Sequence, residues 1–222
     1  MSPTPESVQS LLQSQDYGDR IKGLNALRQL PVDQAYPLLK PLITDEFARI
    51  RYAAVSQLDQ VGHHNPTETL ALLRDRLFND SEIDVQAAAA DAIAALKFTE
   101  AFDDLKQAYE QTSEWLLQFS IVAALGEMGD PRAFELLCNA LESDNGLLQT
   151  AAISALGELG DPKAIPLLIP FVEDADWQVR QRLAQALANL GTPASRSPLQ
   201  ALSQDTIESV ATEAQRGLAS LS

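Results

Sequence analysis

A long internal repeat is the feature that most constrains how this chain can fold. From Gln149 the sequence reads QTAAISALGELGDPKAIPLL, and from Gln118, 31 residues earlier, it reads QFSIVAALGEMGDPRAFELL. The two windows share the run A-L-G-E-x-G-D-P-x-A, so they are copies of one unit. With this Gln as position zero, the template recurs at intervals of 31, 35, 32, 31, 31 and 31 residues, at Arg20, Arg51, Gln86, Gln118, Gln149, Arg180 and Ala211.

Two template positions are apolar in all seven copies. Position seven holds Leu27, Leu58, Ile93, Leu125, Leu156, Leu187 and Leu218, and position ten holds Leu30, Val61, Leu96, Met128, Leu159, Leu190 and Leu221. A weaker apolar pattern between these anchors predicts another helix, so each unit is a pair, called here the first and the second helix. Pairs of this period stack because no single pair can bury its own apolar face.

The repeat therefore predicts an all-α fold, an α-solenoid of about seven helix pairs. We expect a single domain over residues 1–222, because glycine and proline fall at the ends of elements and never form a linker-like run. The predicted units lie near residues 5–31, 32–62, 66–97, 100–129, 131–160, 162–191 and 193–222.

Small polar residues and glycines predict where the helices begin and end. The residues six positions before each position zero are of types that cap helix N-termini. Alternatively, their oxygens could contact the Arg and Gln side chains at position zero. These residues are Ser14, Asp45, Asp80, Thr112, Ser143, Asp174 and Asp205. Second helices are expected to stop at Pro31, Gly62, Gly129, Gly160 and Gly191. Where the stop is a glycine, its backbone should be left-handed. The third unit lacks such a glycine at Lys97.

The charge of the chain restricts its partners. The formal net charge is −15, from 31 acidic and 16 basic residues. Such a field repels nucleic acids and anionic membranes, so partners should carry basic or apolar patches. We expect a cytoplasmic protein without membrane insertion, since the sequence shows neither a signal-peptide pattern nor an apolar run long enough to span a bilayer.

Residues typical of catalysis are scarce. His63 and His64 are adjacent, so their side chains diverge, and no Cys accompanies them to complete a metal site. Cys138, the single cysteine, lies beside Leu137 and is most simply a small apolar residue. The sequence therefore predicts no catalytic residues, no metal site and no conventional enzyme.

One side of the second helix is not needed for packing. Template positions −3, 1, 5 and 8 lie opposite the apolar side, so they should line an open concave face. Both tryptophans, Trp115 and Trp177, fall at position −3, and Phe119 follows Trp115 by four residues and should lie beside it. Gly146 and Gly157 of the fifth unit would leave room over this face. We interpret it as a groove for a partner or a planar ligand. Alternatively, the tryptophan rings cover the turns between helices.

Three segments add a resemblance to a known family. They are 50–57 (IRYAAVSQ), 84–91 (DVQAAAAD) and 112–120 (TSEWLLQFS), and with the repeat they resemble the HEAT-like repeat proteins of cyanobacterial phycobilisomes. That family includes the E/F-type bilin lyases and a phycobilisome-degradation protein. The resemblance implies a non-proteolytic adaptor that helps to disassemble phycobilisomes under nutrient stress, in the cytoplasm or at thylakoid-attached phycobilisomes. Two alternatives stay open, a subunit of an E/F-type lyase or isomerase and a general protein-interaction scaffold.

The resemblance also implies partners and a ligand. The partners would be phycobiliprotein subunits of phycocyanin or allophycocyanin. No cofactor is required, and the bound ligand would be the open-chain tetrapyrrole phycocyanobilin. Its planar system could stack on aromatic side chains while Arg51 meets a propionate. The candidate binding residues of the concave face are Tyr17, Arg51, Tyr52, Trp115, Phe119, Trp177 and Gln181.

Overall fold

The structure, a computed structural model, describes residues 3–221 and confirms an all-α solenoid of HEAT-like helix pairs. Within that range there are fifteen α-helices and no strand. In chain order they are α1 (Pro5–Leu12), α2 (Tyr17–Leu27), α3 (Val32–Leu39), α4 (Ala48–Ser56), α5 (Leu58–Val61), α6 (Pro66–Asn79), α7 (Ile83–Ala95), α8 (Phe102–Gln111), α9 (Trp115–Met128), α10 (Phe134–Leu141), α11 (Gly146–Leu159), α12 (Ile165–Leu168), α13 (Trp177–Leu190), α14 (Arg196–Leu202) and α15 (Glu208–Ser220).

Short 3₁₀ helices join or extend these elements, mainly around the first helices. They span Lys40–Thr44, Gly62–His64, Thr99–Ala101, Pro131–Ala133, Pro162–Ala164, Ile169–Glu173 and Pro193–Ser195. In the part of the chain that the structure describes, no helix is both long and apolar enough to cross a membrane.

The described chain groups into two compact units, one that ends at Ser120 and one that begins at Ile121. In the first unit α2 packs on α4 and α4 packs on α7, while α1 and α6 each pack on the second helix that follows them. In the second unit α11 packs on α13 and α13 on α15, with α10 and α14 packed against α11 and α15. Each unit therefore repeats one arrangement, a row of second helices backed by first helices.

The regular apolar positions of the template form the core. At position seven, Leu27, Leu58, Ile93, Leu125, Leu156 and Leu187 are at most 2% exposed. Position three also lies inside and holds mainly small residues, among them Ala54, Ala89, Ala152 and Ala214. Because the residues at position three are small, adjacent helices approach closely. Burial of the apolar side chains at positions three and seven is the main favourable contribution to folding.

The polar residues six positions before position zero do not cap the second helices, so that prediction was wrong. Each second helix begins at template position −3, which places its N-cap at −4. The residues at −6 each accept a hydrogen bond of 2.8–3.1 Å from the backbone N–H two residues later, which turns the chain into the helix. Where the N-cap is Asp16, Asn145 or Asp176, its own side chain caps the helix.

The side chain at position zero links repeats. Arg51 Nη1 donates to the carbonyl oxygen of Asp45 at 2.9 Å, and Gln86 Nε2 donates in the same way to Asp80 at 2.7 Å. Where position zero is arginine, its guanidinium also pairs with the aspartate at −6 of the next repeat. The pairs are Arg20–Asp45, Arg51–Asp80 and Arg180–Asp205. The predicted contact between side-chain oxygens at −6 and position-zero side chains is therefore confirmed for these three aspartates, which both turn the chain and bind arginine. We call the three pairs the arginine ladder.

Helix ends follow the glycine prediction with two exceptions. Gly129, Gly160 and Gly191 have positive φ, as a left-handed stop requires. Gly62 instead has φ of −64° within a 3₁₀ turn, and a Cβ there would lie 2.7 Å from Thr69 Cγ2, so close packing requires glycine. Lys97, with φ of 57°, takes the left-handed position where the third unit lacks glycine.

Two glycines at template position eight, which was expected on the open face, are buried instead. A Cβ at Gly126 would lie 2.5 Å from the Cα of Ala155, and a Cβ at Gly157 would lie 2.5 Å from the Cα of Ala186. Position eight therefore forms the contact between neighbouring second helices in these repeats. Gly146, by contrast, is exposed as expected, and a Cβ at this position would meet nothing within 4 Å.

Candidate functional site

Exposed apolar side chains gather at the starts of the second helices. Of the ten large apolar side chains that are well exposed within residues 3–221, seven lie between template positions −4 and 1. They are Tyr17 (40% exposed), Phe47 (46%), Tyr52 (46%), Trp115 (49%), Leu147 (57%), Trp177 (41%) and Ile207 (37%). Because packing of the repeats leaves these side chains at the surface, the starts of the second helices are the strongest candidate for a binding surface in each unit.

In the first unit three of these rings form what we call the aromatic edge, defined as Tyr17, Phe47 and Tyr52. Tyr17 is the first residue of α2, and Phe47 is the N-cap of α4. Their ring centroids lie 6.0 Å apart in an edge-to-face arrangement. The guanidinium of Arg20 lies over the Phe47 ring, 5.6 Å from its centroid. Phe47 is therefore held in place from two sides while nearly half of it stays exposed.

A cavity of about 510 Å³ lies beside Tyr52, between the starts of α4 and α7. Its lining combines one aromatic ring with charged and small residues, namely Ala48, Arg49, Tyr52, Glu82, Asp84 and Val85. A cavity that combines an aromatic ring with charged groups can hold a side chain of a partner or part of a small ligand. The sequence interpretation missed Phe47 and Arg49, although both adjoin position −3, which it had identified.

Arg51 does not belong to this surface. Its residue exposure is 9%, and its guanidinium donates to Asp80 Oδ2 at 2.8 Å and Oδ1 at 2.7 Å, and to the carbonyl oxygens of Asp45 and Glu46. The hydrogen bond to Asp80, rather than any ligand, raises the pKa of Arg51 above its ordinary value. A propionate could bind Arg51 only by breaking this buried pair, whereas Arg49 beside Tyr52 is exposed.

Trp115 and Phe119 lie on α9, at its first and fifth residues. Trp115 is about half exposed, and Phe119 is partly buried. Residues four apart on a helix share one face, so the structure places both rings on the same side of α9. The arrangement is compatible with the predicted stacking surface, and Trp115 does not have the burial expected of a ring that serves only as a cover.

The second unit presents Trp177 and Gln181 on the first turns of α13. Trp177 follows the N-cap Asp176, whose side chain accepts a 2.8 Å hydrogen bond from the N–H of Gln178. Gln181 is partly buried one turn later. The neighbouring helices of this unit begin with Leu147 and Ile207 exposed, so each second helix here presents an apolar side chain near its start.

Another cavity in the second unit, of about 640 Å³, lies at the opposite ends of the second helices. It is lined by Ala123, Gly126, Glu127, Gly157, Glu158, Gly160 and Asn189. Helix C-termini carry partial negative charge, which adds to that of the two carboxylates. The lining of this cavity is therefore acidic and contains no aromatic residue, whereas aromatic side chains lie at the starts of α2, α9 and α13.

The residues with nucleophilic or ligating side chains have packing contacts. Burial, followed by the charges of Glu135, Glu142 and Asp161, raises the pKa of the Cys138 thiol. A raised pKa reduces the thiolate fraction and hence the reactivity of this side chain. His63 lies edge-on to Phe98, and the ring centroids of His64 and Tyr36 are 5.3 Å apart. Both histidines therefore belong to the 3₁₀ turn Gly62–His64, which lies in the longest interval of the repeat, 35 residues.

Comparison with solved structures finds the same fold at low sequence identity. The complex of CpcE and CpcF of phycocyanin lyase from Nostoc sp. PCC7120 matches with 21% identity and a TM-score of 0.62, covering 100% of this chain and 96% of that chain. YibA of Escherichia coli matches with 15% identity and a TM-score of 0.61, covering 98% and 93%. An engineered protein matches with 20% identity and a TM-score of 0.59, covering 98% and 68%. No curated protein sequence matches the chain significantly.

Comparison with protein families identifies the repeat itself. The family described as HEAT repeats matches residues 70–156 and residues 135–219, which together extend over more than half of the chain. The matched segments contain the template repeats from position zero at Gln86 to that at Ala211. The chain therefore belongs to the HEAT repeat family.

Proposed function

We propose that this HEAT repeat protein is a non-proteolytic adaptor that binds phycobiliprotein subunits through the starts of its second helices, during the disassembly of phycobilisomes under nutrient stress. The observation that carries the proposal is that, in both compact units, exposed apolar side chains lie at the same end of the second helices. Exposed tryptophan and tyrosine are the side chains that most often anchor protein interfaces. The role corresponds to that of the phycobilisome-degradation protein NblB, which the segments quoted above resemble.

The bilin is a compatible ligand of the same surface. Tyr52 offers an exposed ring in a cavity of about 510 Å³, and Arg49 offers a guanidinium that could pair with a propionate. Arg49 thus takes the role that the sequence interpretation gave to Arg51. Trp115 and Phe119 provide a second aromatic surface, on α9.

Two measurements test this function. Purified protein would be titrated with phycocyanin and with allophycocyanin by biolayer interferometry, and with phycocyanobilin by absorbance spectroscopy. The proposal predicts saturable binding of at least one phycobiliprotein. A shift of the bilin absorption band that Arg49→Gln weakens would extend the function to the pigment. Failure to bind either phycobiliprotein would contradict the adaptor function.

A second candidate is a subunit of an E/F-type bilin lyase or isomerase. The similarity to the complex of CpcE and CpcF, which extends over this whole chain, favours this candidate. The two functions differ in whether a bond forms between bilin and protein. The test combines apo-phycocyanin, phycocyanobilin and this chain, with and without a second HEAT-like chain, and reads covalent attachment as fluorescence on a denaturing gel. Attachment that requires this chain would replace the adaptor function with the lyase function.

A further inference from the structure

Two rings of the aromatic edge, those of Tyr17 and Phe47, are exposed but held by contacts. Tyr17 and Phe47 contact each other edge-to-face, and Arg20 lies over Phe47 while its guanidinium pairs with Asp45. Tyr52 lies on the first turns of α4, beside the cavity between α4 and α7. Aromatic side chains held in this way lose little conformational entropy when a partner binds, which favours a role in docking.

The charges around the aromatic edge have one predominant sign. Four exposed carboxylates stand at the starts of the three helices involved, namely Asp16, Glu46, Glu82 and Asp84. Arg49 is the exposed base among them, because Arg20 and Arg51 are engaged by Asp45 and Asp80. An apolar surface with an acidic border is complementary to a segment that is both apolar and basic.

We propose that the aromatic edge docks a basic, amphipathic segment of a partner protein. Apolar side chains of that segment pack on Tyr17 and Phe47. One arginine or lysine side chain enters the cavity beside Tyr52 and forms ion pairs with Glu82 and Asp84. The inference rests on the proposed binding function, but it specifies the chemistry of the bound segment and does not require the partner to be a phycobiliprotein.

The same edge already contains an example of this recognition. Arg20 places its guanidinium over the ring of Phe47 and pairs with Asp45. The cavity presents equivalent groups, a tyrosine ring and two carboxylates, with the exposed Arg49 also in its lining. A cation between a ring face and a carboxylate is stabilised by both, and more strongly when water is displaced.

Asp84 also has a purely local explanation, which the experiment must separate from docking. It is the second residue of α7, where an acidic side chain interacts favourably with the helix dipole. Asp33 is the second residue of α3, a first helix, and is likewise exposed. The variants Asp84→Asn and Asp33→Asn change net charge and helix dipole interaction equally, so only Asp84→Asn tests the cavity.

The probes are two short fluorescein-labelled amphipathic peptides with leucine on one face, one carrying arginine on its flanks and the other glutamate at the same places. Fluorescence anisotropy at physiological ionic strength measures their binding to the full chain. We expect the arginine peptide to bind and the glutamate peptide not to bind. Asp84→Asn and Tyr52→Leu should each weaken binding about threefold, as expected for one partly exposed charge or cation–π contact.

Arg49→Gln gives a test with the opposite sign, because removing the positive charge from the cavity lining should strengthen binding of the arginine peptide. Equal binding of both peptides, equal weakening by Asp33→Asn and Asp84→Asn, or no gain for Arg49→Gln would each overturn the proposal. Binding of the arginine peptide at this cavity together with failure to bind phycobiliproteins would leave the docking chemistry intact and reject the proposed function instead. Circular dichroism of each variant controls for folding.

Discussion

Arg51 and Asp80 join two neighbouring repeats through two parallel hydrogen bonds, from Nε to Oδ2 at 2.8 Å and from Nη2 to Oδ1 at 2.7 Å. The Asp80 side chain is 1% exposed, and Arg76 Nη1 also donates to its Oδ2, at 3.0 Å. Asp80 accepts both hydrogen bonds from the Arg51 fork, so losing this arginine leaves charge poorly compensated in the interior.

Arg51→Gln should therefore destabilise the protein by roughly 2–3 kcal/mol, somewhat less than for a fully broken buried pair because Arg76 still contacts Asp80. Glutamine should keep the bond to the Asp45 carbonyl, as Gln86 does with the carbonyl of Asp80. Urea unfolding measures the change, with Arg49→Gln, an exposed neighbour, as the control. Equal stabilities of the two variants would show that the ladder contributes little.

Stability should fall in acid through the ladder aspartates. Hydrogen bonds from Arg180 lower the pKa of Asp205 below its ordinary 3.8 despite burial, and in Asp80 burial raises the pKa but hydrogen bonds from Arg51 and the Glu82 N–H lower it overall. A carboxylate with a lowered folded pKa contributes its full stability above the unfolded pKa, and loses it as pH falls through the folded value.

Arg180→Gln should consequently reduce the loss of stability between pH 5 and pH 3 relative to the unmodified protein, because Asp205 then titrates closer to its ordinary pKa of 3.8. Urea unfolding at several pH values measures this dependence. Arg182→Gln, an exposed arginine on the same helix, is the matched control and should retain the original pH dependence. The same pH dependence in both variants would contradict the role of the Arg180–Asp205 pair.

Two glycines of the second unit should respond in opposite directions to alanine. Gly126→Ala places a Cβ 2.5 Å from the Cα of Ala155, so it should destabilise the protein by about 1–3 kcal/mol or more. Gly146→Ala places a Cβ in open space at the first residue of α11, so it should stabilise by about 0.5–1 kcal/mol. Thermal unfolding of both variants tests this, and a stable Gly126→Ala protein would disprove the close helix contact.

Cys138 should react slowly with thiol reagents at neutral pH. Its pKa lies above the ordinary 9.0 because burial and the nearby carboxylates, of which Glu135 is the strongest, disfavour the thiolate. Modification by Ellman's reagent should be slower than in the urea-unfolded protein and should accelerate as pH is raised. Equal rates in the folded and the unfolded protein would show that the fold does not protect this thiol.

The sequence predicted the repeat architecture well because periodicity alone determines which residues are buried. Leu125 and Leu156 recur at one template position and are completely buried. The left-handed backbone at Lys97 was not predictable, since it arises where the repeat must turn without its usual glycine. Gly126 and Gly157 were misplaced because a single-helix projection has one buried side, whereas a stacked helix also contacts its neighbours in the row.

The candidate site was less predictable than the fold. The exposure of Trp115, Trp177 and Tyr52 follows from their template positions. Which side chains contact each other across repeats does not. The pairing of Arg51 with Asp80 joins residues 29 apart and withdraws Arg51 from any ligand surface. Phe47 is a helix N-cap without a capping side chain, so a search based on helix faces passes over it. Binding at these residues stays a prediction.

The affinity of phycocyanin for alanine variants of the exposed aromatic residues is the sharpest test of the proposed binding surface. Trp115→Ala and Tyr52→Ala should weaken binding at least about tenfold, with melting temperatures close to that of the unmodified protein. Leu167→Ala removes an apolar side chain of similar exposure, 41%, from the short helix α12 and should leave affinity unchanged. Unchanged affinity in both aromatic variants, or an equal loss in Leu167→Ala, would contradict the claim that the starts of the second helices form the binding surface.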